Sequence, residues 1–170
     1  MMLLYLLTLS STSYAAEQGA GRVRMQGSII DTPCAIDVES RDQSIDMSVI
    51  PIEYIIRNKY GPEKQFSIHL ENCVLKQDNI NNPDWSSFRI TFDGPTNDGS
   101  HFSVRGHGTG VGLQLSDNNG NIAFPGKQMP PGNLSAGNMT LDYKIRLKTN
   151  HKILRAGAYR ATLRFKMDYY

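Results

Sequence analysis

The C-terminal segment of this chain alternates apolar and polar side chains, which constrains its fold more than any other feature. Successive side chains of a β-strand point to opposite faces, so a period of two predicts a strand with one buried face. A long apolar strand with a free edge promotes aggregation unless something covers it. We therefore expect a partner here, or a strand supplied from elsewhere. The apolar positions are Tyr159, Ala161, Leu163, Phe165, Met167 and Tyr169, and the alternating polar positions are Arg160, Thr162, Arg164, Lys166 and Asp168.

Short runs with the same period recur along the chain and are separated by Gly, Asn and Pro turns. No segment carries a sustained helical stripe, and residues 49–56 form at most a short turn of helix. The pattern predicts an all-β sandwich of one domain, without a linker or an internal repeat. The predicted strands cover residues 22–31, 65–71, 88–92, 111–115 and 141–147.

The N-terminus is typical of an export signal. Residues 1–9 are almost wholly apolar, residues 10–14 are small and polar, and Ala15 and Ala16 follow. This order predicts a signal peptide over residues 1–15, cleaved after Ala15, although no Lys or Arg precedes the apolar run. The alternative is an ordinary N-terminal strand.

Export to an oxidising compartment would allow the two cysteines to form a disulfide. An even number of cysteines in a secreted chain predicts a disulfide, here between Cys34 and Cys73. Such a bridge would stabilise the fold by roughly 3–4 kcal/mol in the chain-entropy model. Two buried thiols or half of a metal site are the alternatives, but no His or Cys lies at ligand spacing from either residue.

Catalytic chemistry is not predicted. The histidines are scattered, the nucleophile-elbow pattern is absent, and the carboxylates form no obvious acid–base pair. The glycine-rich residues 106–112 lack the Lys and Ser/Thr of a phosphate loop and lead into a strand, which predicts a flexible strand entry. A net charge of +2 gives no reason to expect a nucleic-acid partner. We expect no enzyme, no cofactor, no metal and no small-molecule substrate.

Residues 16–27 allow two interpretations. From Gly19 to Gly27, every second position is small or apolar, and Arg22 and Arg24 occupy the other face. Such a segment can add as a strand to the exposed edge of another sheet, or it can form the first strand of its own domain. The spacing alone does not separate these alternatives.

Several stretches together resemble the pilin subunits of chaperone–usher fimbriae. Residues 23–34 are similar to the family's opening strand and first cysteine, and residues 66–73 to the strand with the second cysteine. Residues 111–117 match a common internal stretch. The most specific feature is the end, where Gly157 stands fourteenth from the C-terminus and Tyr169 is penultimate.

This resemblance implies an incomplete immunoglobulin-like β-sandwich that lacks its last strand and is completed by donor-strand complementation. Residues 28–170 would form the pilin domain and residues 16–27 a donor extension, with Gly19, Gly21, Val23, Met25 and Gly27 facing a neighbour's groove. Gly21 would sit at the tight point and Gly19 at the outermost pocket. The strand from Gly157 to Tyr169 would bind the periplasmic chaperone, and the other partners would be the outer-membrane usher and neighbouring pilins. The chain would pass through the periplasm to the fimbrium on the cell surface.

A narrower resemblance concerns residues 60–66, 89–94, 120–123 and 141–143, which look most like the minor subunit that terminates and anchors P pili. It implies a subunit that donates its own strand and accepts none. The alternatives are an elongating major or minor pilin, a tip adhesin that binds host glycan, and a small secreted enzyme. An adhesin of this kind would need a separate receptor-binding domain, for which 170 residues leave no room.

Overall fold

The computed structural model describes residues 21–27, 32–77, 79 and 81–170. The chain divides at Ile30 into two units. In the first unit, residues 21–27 form neither helix nor strand, and Val23 and Met25 are 88% and 92% exposed. The strand predicted over residues 22–31 is therefore wrong for residues 22–27, because these side chains bury no apolar surface that would hold a strand in place. The predicted signal peptide, Gly19 and residues 28–31 lie outside the described residues.

The second unit is dominated by a large antiparallel sheet whose strands run in the order β1-β2-β9-β6-β4, with β7 paired to β6. Strands β2 and β9 bury alternate side chains along much of their length, as the period-two pattern predicts, whereas residues 111–115 of β6 are all buried. The strands are β1 (Ala35–Ile36), β2 (Lys64–Cys73), β4 (Phe102–Ser103), β6 (Val111–Asp117), β7 (Ile122–Ala123) and β9 (Gly137–Thr149).

Two smaller sheets complete the strand set. One has the order β11-β3-β8, formed by β3 (Ser87–Asp93), β8 (Gly132–Asn133) and β11 (Arg164–Tyr169). The other pairs β5 (Arg105–Gly106) with β10 (Tyr159–Arg160). The terminal strand predicted over residues 159–169 is thus divided: it pairs first with β5 and then with β3. Residues 161–163 lie between the two partners and belong to no strand.

Two short helices occupy the connection between β1 and β2. The first, α1 (Val38–Arg41), is capped by Asp37, whose carboxylate accepts hydrogen bonds from the backbone N–H groups of Glu39 and Ser40. The second, α2 (Ile52–Asn58), follows Pro51 and ends at Lys59 in the left-handed conformation. This helix is longer than the single turn predicted from residues 49–56 and begins later, because Pro51 precedes its first turn.

The core lies between the inner faces of the large sheet and the β11-β3-β8 sheet. The ring of Phe92 on β3 meets that of Tyr143 on β9 edge-to-face, with centroids 5.0 Å apart. Cys34 and Cys73 are joined in a disulfide, as predicted, and both are buried. The strands predicted at residues 111–115 and 141–147 are also present. With the contact between the two sheets, they confirm the predicted all-β sandwich. Within the described residues, no helix has both the length and the apolar character needed to cross a bilayer.

Candidate functional site

The second unit contains a groove of about 880 Å³ that opens onto the hydrophobic core. One rim is the edge segment, residues 154–165, which includes β10 and the start of β11. The other rim is residues 41–50, which carry no strand. Core side chains from four strands of the two packed sheets form the floor: Phe66, Phe92, Val111, Leu113, Leu115, Ile145 and Leu147. Apolar floor residues that face an open groove would be covered in a completed sandwich.

The edge segment also has a free backbone edge. Among the described strands, β11 pairs with β3 alone, so its other edge has no partner strand. The C-terminal end of β11 is fixed on the β3 side, where the backbone N–H groups of Ser86 and Ser87 donate to the Tyr170 carbonyl at 2.8 and 3.0 Å. One side of this strand is therefore held in register while the other side presents unpaired N–H and C=O groups.

The alternating apolar residues of the C-terminal segment separate into two groups. Those predicted at residues 159, 161, 163 and 165 line the groove. Met167 and Tyr169 are half-buried against the core, and the ring of Tyr169 lies 6.4 Å from that of Trp85. The apolar face of the segment is therefore shared between the groove and the folded core.

The hydroxyl of Tyr159 is buried in the groove wall, and no described group hydrogen-bonds to it. Burial, followed by the charge of Asp46 on the opposite rim, raises the pKa of this phenol above its ordinary value. Tyr159 therefore stays neutral at physiological pH and leaves one polar group in the groove unsatisfied.

Gly157 lies where two backbones come into contact. A Cβ added at this position would stand 2.7 Å from both the Gly108 nitrogen and the His107 carbonyl carbon. Similar close contacts explain Gly106, Gly108 and Gly110, which belong to the stretch predicted as a flexible strand entry. A Cβ on Gly110 would lie 2.5 Å from the Cα of Leu154. These glycines serve close packing of residues 106–110 against the edge segment rather than flexibility alone.

The rim at residues 41–50 and the floor of the groove were not identified from the sequence. A weak signal was present, because Ile45 and Met47 alternate with Asp46 and Ser48. Both apolar side chains pack against the core from this rim. Of the predicted donor residues, Gly21, Val23, Met25 and Gly27 belong to the first unit, and Gly19 lies outside the described residues.

The groove, the free edge and the disulfide define an antiparallel β-sandwich that is open along one side. A family model described as "Fimbrial protein" matches residues 23–170. Over 150 residues the chain is 37% identical to a PRS fimbrial minor pilin protein and to a PAP fimbrial minor pilin protein, both from Escherichia coli. Each alignment covers 88% of this chain and 77% of the relative.

A solved structure has the same architecture. The crystal structure of the P pilus rod subunit PapA superposes with a TM-score of 0.73 over 82% of this chain and 100% of that one, at 22% identity. The chain therefore belongs to the fimbrial protein family, the pilin subunits of chaperone–usher fimbriae. This confirms the family resemblance found in the sequence, and it agrees with the prediction of a structural subunit rather than an enzyme.

Proposed function

We propose that the groove is completed by a β-strand from another protein chain, and that this exchange of strands is how the subunit is assembled. The observation that carries the proposal is the unpaired edge of β11 beside a groove floored by core side chains. An added strand would supply backbone partners to that edge and apolar side chains to the floor. Burying each such side chain gains of the order of 1.5–3 kcal/mol before entropy losses.

In this proposal a periplasmic chaperone supplies the first strand during export, and the outer-membrane usher is where later exchange takes place. The subunit's own residues 16–27 enter the groove of a neighbouring pilin. Val23 and Met25 support this role, since both are almost fully exposed and alternate with Arg22 and Arg24. The product is a structural part of a fimbria on the cell surface.

Within the fibre, we assign the subunit to the terminating or anchoring position. There it donates its own strand to a neighbour, and no pilin strand replaces the chaperone strand in its groove. The two relatives at 37% identity, both minor pilins, support a minor rather than a major subunit. An elongating subunit is the alternative. It is favoured by the extent of the groove, which follows the edge segment from Leu154 to Phe165 and so offers length for an incoming strand.

The experiment is donor-strand exchange on the purified chaperone-bound subunit. Peptides matching the N-terminal extensions of this chain and of its companion pilins are added, and chaperone release is followed. A terminator releases no chaperone, while its own extension peptide still enters another pilin's groove. Release by a companion peptide identifies an elongating subunit. The matched control is the extension peptide with Val23→Asp, which should enter no groove because it places a charge on the apolar face.

A further inference from the structure

We propose that the strand which fills the groove carries carboxylate side chains on its solvent-facing side, held by Arg105, Arg160 and Arg164. The inference rests on the proposed strand complementation and specifies the charge that the incoming strand carries. It also implies that the extension of a second copy of this chain is a poor donor strand for this groove.

Two of these arginines are direct cross-strand neighbours. In the pairing of β10 with β5, Arg160 stands opposite Arg105. Directly opposed residues on one face of an antiparallel pair lie about 5 Å apart at Cβ, and like charges there are destabilising. No ion pair joins either guanidinium to a carboxylate in the described part of the chain. The pair therefore leaves two positive charges together without compensation.

A third arginine borders the same space. Arg105, Arg160 and Arg164 line one surface cavity of about 450 Å³, together with the hydroxyl-bearing Ser103 and Thr162. One carboxylate is already present, because Asp93 lies 3.6 Å from Arg164, and both of these side chains are largely exposed. Three guanidinium groups against one carboxylate leave the cavity positive, and paired guanidinium donors suit a further carboxylate.

The cavity adjoins the groove. Arg160 and Arg164 border both, since they belong to the edge segment whose other face and free edge form the groove rim. A strand added along this edge would place its solvent-facing side chains as cross-strand neighbours of Arg160, Thr162 and Arg164. Carboxylates at those positions would reach the cavity, whereas lysines or arginines would be repelled.

The chain's own extension has the opposite charge pattern. Its solvent-facing positions, on the face opposite Val23 and Met25, are Arg22 and Arg24. The far rim of the groove carries Arg41 with Asp42 and Asp46, a surplus of only one carboxylate. That rim has no strand and therefore sets no cross-strand pairs with an incoming strand. The rim that carries Arg160 and Arg164 thus determines which charge is preferred on the incoming strand. Copies of this chain are thereby discouraged from filling one another's grooves.

The test uses the full chain extended after Tyr170 by a flexible linker and a copy of residues 16–27; we call this the complemented chain. Three copies are compared: the natural one, a neutral one with Arg22→Gln and Arg24→Gln, and an acidic one with Arg22→Glu and Arg24→Glu. All changes are made only in the added copy, so the apolar face is constant. We expect the acidic copy to melt about 2–4 °C above the natural one, with the neutral copy between them and the gap narrowing at high salt.

A second set places Arg105→Gln and Arg160→Gln in the body of the complemented chain. These changes should abolish most of the difference between the acidic and natural copies. Equal melting of the three copies, or a gap unaffected by the two Gln substitutions, overturns the inference while leaving strand complementation intact. If no copy raises the melting temperature above that of the chain with the linker alone, the groove accepts no pilin extension and the inference fails, whereas the proposed terminating role, which accepts none, is unaffected.

Discussion

The backbones of Gly157 and Gly108 are in direct contact: a Cβ on Gly157 would stand 2.7 Å from the Gly108 nitrogen, and a Cβ on Gly108 would stand 2.7 Å from the Gly157 carbonyl oxygen. The atoms opposite each position belong to the main chain and cannot turn aside as a flexible side chain would. This contact holds the start of the edge segment against residues 106–110 and so fixes one rim of the groove.

Replacing Gly157 with Ala should therefore destabilise the complemented chain by about 1–3 kcal/mol, since the backbones must separate and a φ of 155° is unfavourable for alanine. Denaturant unfolding measures the loss. Gly120→Ala is the matched control: Gly120 has a φ of 86° but nothing within 4 Å of its Cβ position, so it isolates the conformational cost. If the two variants lose the same stability, the close contact contributes nothing.

The disulfide between Cys34 and Cys73 closes a sequence separation of 39 residues and ties the start of β1 to the end of β2. Replacing both cysteines with Ser should cost roughly 3–4 kcal/mol of unfolding free energy, because the unfolded chain regains the entropy of the open loop. Thiol labelling of the unreduced, denatured protein provides the check on the bridge itself. Labelling at both positions would show that the exported protein does not contain it.

We expect Phe165→Asp to prevent capture by the chaperone, since Phe165 lines the groove and a carboxylate there would face the apolar floor. Lys166→Asp adds the same side chain one residue later, where the native lysine is exposed, and serves as the control. Co-purification from the periplasm compares the two. Normal capture of the Phe165→Asp variant would contradict an apolar strand contact in this groove.

Acid should weaken the turn around Asp98. Hydrogen bonds from the Ser100 backbone, then from its side chain, hold the pKa of the Asp98 carboxyl well below its ordinary value of 3.8. A lowered pKa in the folded state means that the stabilisation is complete above about pH 4 and is lost as the pH falls further. We expect the stability gap between the complemented chain and its Asp98→Asn variant to shrink below pH 4. A gap that is constant between pH 6 and pH 3 would show that ionisation of Asp98 is not involved.

The sequence predicted those parts of the fold that depend on local pattern. Residues 65–71, 88–92 and 141–147 form strands in which side chains are buried alternately, whereas residues 111–115 form a strand in which all five residues are buried. Period two is a property of a single strand, so it can be recognised without knowledge of the partner strands. Residues 22–27 also alternate, but the strand predicted there is wrong, because Val23 and Met25 are almost fully exposed.

The groove could not be predicted from the sequence and was recognised only in the structure. Its far rim has little periodicity and no strand, and its floor gathers residues from segments as distant as Phe66 and Leu147. The division of the terminal strand at residues 161–163 arises because its partner changes from β5 to β3, which sequence periodicity does not reveal. The opposition of Arg105 and Arg160 likewise depends on which strands pair, and not on either local sequence.

The most direct test of strand complementation is hydrogen exchange, resolved by residue, along β11 in the chaperone-bound subunit. Alternate amides of β11 are directed toward β3, and the others face the open edge. We expect slow exchange at every amide from Arg164 to Tyr169, because the incoming strand accepts hydrogen bonds from the amides that do not bond to β3. Fast exchange at alternate residues would show that the edge remains open when the chaperone is bound, and would contradict strand complementation.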